Sequence, residues 1–249
     1  MVLNPGKCHY LIINNDIINT SIELGEKVLY AEAEQKLLGI IIDKDLNFQS
    51  HTKSIIKTAN QKLSALIRVA PFMTDFNKKV IFNSFFKGQF NYCPLLWMFS
   101  TRKVNHKINR LHERGLRALL NDEASTFNDM LSKSNDTTIH VKNIQKLMIE
   151  FYKYLYGLSA PIMKEVFTKK ILKYNLRNCR ENLLPNPKTK KYGTDTVAYK
   201  ASQLWSTLPT RYKNLPLLDV FKSEIKIWNC NDCPCNICRI FVDGVGFIN

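Results

Sequence analysis

The stretch from residue 50 to residue 71, SHTKSIIKTANQKLSALIRVAP, decides the fold class of the chain. Its apolar residues recur every three or four positions, which is the period of an amphipathic helix. The residues with this spacing are Ile55, Ile56, Ala59, Leu63, Leu66, Ile67 and Ala70. Lys53, Lys57 and Lys62 fall elsewhere on the same helix. Because a proline disfavours helical backbone at the residue before it, we expect Pro71 to end this helix.

Similar periodicity predicts further helices along the chain. Thr74 and Asp75 cap a second helix, which Pro94 kinks or ends. Its expected apolar face consists of Val80, Ile81, Phe85, Phe86 and Phe90. Later helices are predicted over residues 104–120, 138–158, 194–208 and 218–228, with a short one after Pro161.

The first 48 residues have a different character. Three short runs are candidate strands, because they are brief, rich in β-branched residues and separated by turn signals. They are CHYLII (8–13), KVLYAEA (27–33) and LLGIII (37–42). We therefore predict an α+β chain that is mostly α.

Composition divides the chain into five segments. We predict a small β-rich part over residues 1–48, a helical bundle over 49–167, a basic linker over 168–192, a further helical segment over 193–228 and a cysteine-containing tail over 229–249. The linker is predicted because this stretch lacks periodicity and has eight basic residues against one acid.

The charge balance indicates the class of partner. The sequence has 36 lysines and arginines against 21 acids, a formal net charge of +15. Solubility needs a net charge of only about 2–8 in a small domain, so solubility alone does not explain this excess. A basic excess of this size favours a polyanion. We predict that the partner is RNA or DNA, bound at its phosphate backbone, and not a membrane.

Three features bear on the cellular compartment. No run of eighteen uncharged apolar residues is present, so we predict no transmembrane helix. The N-terminal MVLNPGKCHYLII has no charged region ahead of a clean apolar core, which argues against a signal peptide. The seven cysteines are an odd number, and four lie within nine residues, which is not a secreted disulfide framework. We predict a nuclear or cytoplasmic protein.

One predicted helix carries a continuous row of positive charge. Residues 102–117 contain six bases and one acid, Glu113. Five of the bases recur at spacings of three and four, which places them on one helix face: Lys103, Lys107, Arg110, Arg114 and Arg117. A solvated helix face normally mixes charges of both signs. We therefore predict that this row and the lysines at 53, 57 and 62 contact phosphates.

Two aspartates raise the question of a metal site. Asp43 and Asp45 follow the apolar run 37–42 at the spacing that puts both on one side of a strand. Two-metal enzymes need carboxylates that hold cations about 3.5–4 Å apart. No second apolar strand ends in an acid, so nothing completes such a site. We favour the alternative that Asp43 leaves the sheet while Asp45, Asn47 and Ser50 supply turn and capping oxygens.

The cysteines near the C-terminus form a candidate zinc site. Cys230, Cys233, Cys235 and Cys238 have the arrangement C-x2-C-x-C-x2-C. Each half has the spacing of a zinc-knuckle half-site, whereas the single-residue spacer between the halves is short. Zn²⁺ binding, a labile thiol cluster and an incidental tail all stay open.

Several strings together resemble a known family. They include NPGKCHYLI (4–12), LLGIIIDKDLNFQSHTKSI (37–55), FNYCPLLWMF (90–99), KINRLHERGLRALL (107–120), YGTDTVAYKASQLW (192–205) and CPCNICRIF (233–241). In this order they resemble the C-terminal part of the reverse transcriptases of non-LTR, jockey-like retrotransposons. The resemblance covers nearly the whole chain.

The resemblance implies a role for each part of the chain. Asp43 and Asp45 match the exit from the palm to the thumb, and Lys7 matches a basic residue near the phosphates of the incoming nucleotide. The helices after Ser50 match the thumb, which holds the template–primer duplex, and the tail matches a region proposed to bind RNA. The family's F/Y-A-D-D motif does not occur here, so the resemblance implies a truncated RNA-directed DNA polymerase, inactive alone, with Mg²⁺ bound only if the missing palm were present.

Two alternatives stay open at this point. In the first, the chain is an active enzyme in which Asp43 and Asp45 bind Mg²⁺, and a further carboxylate comes from elsewhere or a partner chain supplies the palm. Alternatively, it is a non-enzymatic helical module for protein interaction, and its bases only form a solvated surface.

Overall fold

The computed structural model of the chain describes residues 4, 7–13, 21–167, 189 and 196–228. It confirms an α+β fold that is mostly α. The strands are β1 Ser21–Leu24, β2 Lys27–Tyr30, β3 Glu34–Leu37 and β4 Ile40–Asp43. The α-helices are α1 Gln49–Val69, α2 Asp75–Ile81, α3 Arg102–Leu120, α4 Phe127–Lys133, α5 Ile139–Leu155, α6 Met163–Val166, α7 Val197–Thr207, α8 Thr210–Lys213 and α9 Leu218–Ile225.

The strands form two separate antiparallel hairpins, β1–β2 and β3–β4. The prediction of a single strand over residues 37–42 was wrong, because the chain reverses within it at Leu38 and Gly39. Both residues have positive φ, 47° and 86°, as a two-residue hairpin turn requires. The predicted strand at 8–13 is reduced to a parallel bridge between Tyr10 and Ala31.

The predicted helix after Ser50 is confirmed as α1, which ends just before Pro71. Its buried side includes Ile55, Ala59, Leu63 and Leu66. These residues pack against α3 and against the aromatic segment that follows α2, residues 82–90. Together with α4, which packs against α3, they form the first hydrophobic core.

The aromatic segment differs from the predicted continuous helix. Thr74 caps α2 as expected, since its side chain accepts a hydrogen bond from the backbone N–H of Asn77. After Ile81 the backbone widens into a π-helical turn, Phe82–Phe86, and then tightens into the 3₁₀ turn Lys87–Phe90. Phe82 and Phe86 of this segment are buried, whereas Val80 and Phe85, which were also expected on the apolar face, are 47% and 44% exposed.

Gly115 sets the close approach between α3 and this aromatic segment. A Cβ at position 115 would overlap the edge of the Phe82 ring and would lie 3.4 Å from Cδ1 of Leu63. The absence of a side chain at this position therefore lets Phe82 pack directly against the α3 backbone. Phe82 in turn stacks on Phe86 with 5.2 Å between ring centroids.

The second hydrophobic core joins α5 to α7, α8 and α9. Phe151 of α5 contacts Trp205 of α7 with 5.6 Å between ring centroids. The Gln145 side-chain amide donates to the carbonyls of Lys226 and Trp228, at 3.1 and 3.0 Å. The predicted helices over 138–158 and 218–228 are confirmed, with shorter bounds. The helices on the two sides of residues 168–195 therefore share one core.

A buried ion cluster ties three segments of the chain together. The Asp136 carboxylate, in the loop before α5, has a side chain that is only 5% exposed. It forms ion pairs with Lys87, after α2, and with Lys142 of α5. Nε2 of His112, on α3, lies 3.4 Å from Oδ2 of Asp136.

Burial and charge act in opposite directions in this cluster. Burial alone would raise the pKa of Asp136, but the contacts with His112, Lys142 and Lys87 outweigh burial and hold this pKa well below its usual range. Burial lowers the pKa of Lys87 to about 8, and the Asp136 carboxylate offsets part of that effect. Burial also lowers the pKa of His112, so its ring is neutral at pH 7. The carboxylate is thus ionised and Lys87 is mostly charged at neutral pH.

None of the helices in the described residues is long and apolar enough to span a bilayer.

The substitution Gly115→Ala tests the close approach of α3. Alanine normally stabilises a helix interior by up to about 1 kcal/mol relative to glycine. Here we expect Gly115→Ala to lower the free energy of unfolding by about 2 kcal/mol, because the new methyl group displaces Phe82. Urea denaturation followed by circular dichroism measures the change.

Gly88→Ala is the matched control for this test. No atom lies within 4 Å of a Cβ built at Gly88. We expect this variant to unfold at the wild-type urea concentration or above it. Equal stability of the two alanine variants would contradict the close packing at Gly115.

The substitution Asp136→Asn tests the ion cluster through its pH dependence. At pH 7 it should lower the free energy of unfolding by about 3 kcal/mol, because Lys87 then stays buried without its carboxylate. Because the folded-state pKa of Asp136 is depressed, its stabilisation is present above the usual value of 3.8 and is lost as the pH falls below that value. Urea unfolding of wild type and Asp136→Asn should show a smaller difference in the free energy of unfolding at pH 3 than at pH 7.

Asp219→Asn is the control for Asp136→Asn, since the Asp219 side chain is 92% exposed. It should change the free energy of unfolding by less than about 0.5 kcal/mol at either pH. A difference between wild type and Asp136→Asn that stays constant down to pH 3 would contradict the depressed pKa.

Candidate nucleic-acid interface

The predicted row of bases on α3 lies on the solvent side of that helix. Lys103, Lys107, Arg110 and Arg114 are all exposed. The opposite side of α3 is buried through Ile108, Leu111 and Leu116, among other residues. The apolar side therefore fixes which way the row of bases faces.

Arg117 differs from the other four members of the row. Its Nη2 lies 2.8 Å from Oε1 of Glu113, and its Nη1 donates to the backbone carbonyl of Glu123 at 2.6 Å. The side chain is 31% exposed. Arg117 thus stabilises the turn that follows α3, and its guanidinium is already engaged within the protein.

The lysines at 53 and 57 lie on a second exposed row, on α1. The members of this row are spaced by four, three, four and four residues: Lys53, Lys57, Asn60, Ser64 and Arg68. Arg68 is exposed and was not among the predicted contacts. The spacing from Lys57 through Asn60 and Ser64 is the signal that identifies it.

The two rows meet at one hydrogen bond between the helices. Nη1 of Arg114 donates to Oδ1 of Asn60 at 3.1 Å. Because α1 packs against α3, this contact places the rows side by side. We call the cations of these two rows the basic face: Lys53, Lys57, Arg68, Lys103, Lys107, Arg110 and Arg114.

The basic face has almost no compensating negative charge. Helix α1 contains no Asp or Glu, and the single acid of α3, Glu113, is paired with Arg117. The lysines of both rows have no ion-pair partner among the described residues. Their charge therefore acts on solvent and solutes. At about 1.5 Å per residue, Lys103 to Arg114 spans roughly 16 Å, which equals the axial length of about five base pairs of a duplex.

Two predicted contacts lie away from the basic face. Lys62 is on the other side of α1, half-buried, with its Nζ 4.7 Å from the centre of the Phe85 ring. Lys7 is exposed in the N-terminal segment, where its backbone N–H donates to the carbonyl of Asn4 at 3.0 Å. The structure does not bring either residue together with the two rows.

Asp43 caps the loop that leads into α1. Its Oδ1 accepts hydrogen bonds from the backbone N–H groups of Asp45 and Asn47, at 3.1 and 3.0 Å. Its Oδ2 accepts from the N–H of Phe48 at 2.6 Å. The sequence predicted turn and capping oxygens at this point from Asp45, Asn47 and Ser50, and the structure shows that the Asp43 carboxylate accepts these three bonds.

No group of three metal-ligating side chains occurs within residues 21–167 or in the other described ranges. The predicted zinc ligands, Cys230, Cys233, Cys235 and Cys238, lie outside the described residues, as does nearly all of the predicted linker over 168–192. Zn²⁺ at the tail stays a prediction. Within the described part, Cys8 and Cys93 are free thiols.

Comparison with protein-family models, with curated proteins and with solved structures gives no match to this chain. The interface therefore stands on its own geometry and charge.

The substitution Asp43→Asn tests whether this carboxylate is structural or binds metal. It should lower the free energy of unfolding by about 1 kcal/mol, because the amide nitrogen cannot accept the bond from Phe48. Thermal unfolding with and without 5 mM MgCl₂ is the measurement, and Mg²⁺ should leave both melting temperatures unchanged.

Asp45→Asn is the matched control, since the Asp45 carboxylate accepts none of these three bonds. We expect its melting temperature to stay above that of Asp43→Asn. A rise in the wild-type melting temperature with Mg²⁺ that Asp43→Asn abolishes would instead support a metal site at this strand end.

Proposed function

We propose that the helical part of this chain binds RNA or DNA through the basic face, by contacts with phosphates and not with base edges. The observation that carries the proposal is the hydrogen bond between Arg114 and Asn60, which joins two rows of cations whose lysines have no ion-pair partner among the described residues. One row of bases on one helix offers phosphates a narrow line of charge. Two adjoining rows form a broader surface whose charge complements a phosphate backbone.

The chemistry of the face favours sequence-tolerant binding. Lysines on exposed helices reach phosphates through flexible stems and act as point charges. Phosphate contacts position a duplex or strand but do not carry sequence information. Binding should therefore release condensed counterions and weaken steeply as the salt concentration rises.

The resemblance to jockey-like reverse transcriptases gives this proposal a more specific form. We propose that the chain is a fragment of such an RNA-directed DNA polymerase and that α1, α3 and the aromatic segment act as its thumb. In that role the basic face holds template–primer or element RNA. The proposal concerns binding, since polymerisation and its Mg²⁺ ions belong to the palm motifs that this sequence does not contain.

Charge reversal on α3 tests the proposed interface. The triple variant Lys107→Glu, Arg110→Glu, Arg114→Glu should bind a duplex and a single strand of any sequence at least about tenfold more weakly. The slope of log affinity against log salt concentration should fall by about 2–3, one phosphate contact for each reversed residue. Fluorescence anisotropy with labelled 20-nucleotide probes at several salt concentrations measures both quantities.

A triple variant with the same change in net charge is the control. Lys36, Lys44 and Lys226 are exposed and lie outside α1 and α3, so their reversal to Glu keeps the basic face intact. We expect this control variant to retain most of the slope of log affinity against log salt concentration. Equal effects of the two triple variants would mean that binding follows net charge alone. No binding by the wild type would favour the protein-interaction module instead.

Primer extension with Mg²⁺ and deoxynucleotides, run on the same samples, separates binding from catalysis. Binding without extension is the expected result. Extension that Asp43→Asn abolishes would show that the chain carries an active site of its own.

A further inference from the structure

A second cationic feature lies away from the basic face. An open depression with a volume of about 210 Å³ is formed where α2, the 3₁₀ turn after it, the end of α3 and the start of α5 come together. Three lysines line it, each from a different element: Lys79 of α2, Lys87 of the 3₁₀ turn and Lys142 of α5. None of the residues that line it belongs to the basic face.

The charges in this depression do not balance. Asp136 is the only acid among the lining residues, and both Lys87 and Lys142 share it. Lys79 is exposed and has no ion-pair partner in the described ranges. Three ammonium groups against one carboxylate leave an excess of two positive charges. Because the Lys87 side chain is only 12% exposed, solvent and dissolved ions screen its positive charge poorly.

Neutral donors accompany the lysines. Asn83 of the π-helical turn and Asn135 of the loop before α5 are exposed and line the same depression. Asn135 has φ of 50°, a left-handed conformation that the chain adopts as it turns towards Asp136. Their side-chain amides are each able to donate two hydrogen bonds. A ligand in the depression thus meets ammonium and amide donors. The single carboxylate, Asp136, is already paired with Lys87 and Lys142.

The size of the depression fits a group larger than a halide ion. The volume of about 210 Å³ is well above the roughly 10–15 Å³ of accessible space that a single water needs. A phosphate monoester carries up to two negative charges and several acceptor oxygens, which matches both the excess charge and the number of donors.

We propose that this depression is a binding site for a phosphate group, held by Lys79 and Lys142 at its rim and by Lys87 at its base. The phosphate is either the terminal phosphate of a nucleic-acid strand or that of a small phosphate compound. The site does not rest on the function proposed for the basic face, because the two share no residue.

Inorganic phosphate is the first probe, titrated into the protein in chloride buffer and followed by ³¹P line broadening. The wild type should bind phosphate, and the double variant Lys79→Gln, Lys142→Gln should bind it at least about tenfold more weakly. Lys79→Gln alone should weaken binding by about threefold or more without loss of fold, since this side chain makes no ion pair. Lys226→Gln, at an exposed residue that does not line the depression, is the control and should bind as the wild type does.

A second arm distinguishes the two sources of the phosphate. Two 12-nucleotide strands of one sequence, with and without a 5′-phosphate, are compared by anisotropy on wild type and Lys79→Gln. Tighter binding of the phosphorylated strand that Lys79→Gln removes assigns a strand terminus. Binding of inorganic phosphate with no difference between strands assigns a small phosphate compound.

Two results would overturn the proposal: no binding of inorganic phosphate by the wild type, or binding that both lysine variants leave unchanged. The triple charge reversal on α3 separates this site from the basic face. That variant should lose affinity for duplexes while it keeps the wild-type affinity for inorganic phosphate.

Discussion

Asp136 is the residue on which the arrangement of the helical part depends. A single carboxylate, almost fully buried, is in contact with cations from the turn after α2 and from α5, and with a neutral imidazole from α3. Each of these elements also contributes to a hydrophobic core, but apolar contacts are not directional. The ion cluster adds direction, because an ionised group in a poorly screened site tolerates little displacement from its partners. The His112 ring, 3.4 Å from the carboxylate, brings α3 against this cluster, while the packing of Ile108, Leu111 and Leu116 determines which side of α3 carries the cations.

Two cationic surfaces exist on the helical part, and each has its own cause. On α3, the inner side packs through residues such as Ile108 and His112, so its bases have only the outer side. Around Asp136, three lysines converge on a single carboxylate, and the surplus positive charge faces solvent. The first surface is an extended row on helices and the second is a recess between them. The proposals above assign a phosphate backbone to the first and an isolated phosphate group to the second.

The sequence predicts those parts of the structure that local pattern controls. The period of the apolar residues in α1, the cap at Thr74 and the row of bases on α3 were each readable, because they involve neighbours three or four residues apart. Arg68 was equally readable and was missed, since Asn60 and Ser64 separate it from the lysines of its row. The hairpin at Leu38 and Gly39 was obscured because apolar residues on both sides of the turn read as one strand.

Other features depend on contacts that no local pattern reveals. Two partners of Asp136, Lys87 and His112, lie far from it in the sequence, so the pattern around residue 136 does not predict an ion cluster. Arg117 pairs with Glu113, four residues before it, and donates to the backbone carbonyl of Glu123, a contact that leaves no trace in composition. The π-helical turn that begins at Phe82 accompanies the packing of the Phe82 ring on Gly115. At Asp136 and at Phe82 the contact comes from another part of the chain, so the propensity of the segment does not reveal it.

The lack of acids on α1 has a consequence for the free protein. The outer sides of α1 and α3 carry mainly cations, and the single acid of α3, Glu113, is paired with Arg117. Like charges along the two outer sides repel each other, and dissolved anions reduce this repulsion. The unbound protein should therefore gain rigidity as ionic strength rises from very low values, and a polyanion bound as proposed would take the place of those ions along α1 and α3.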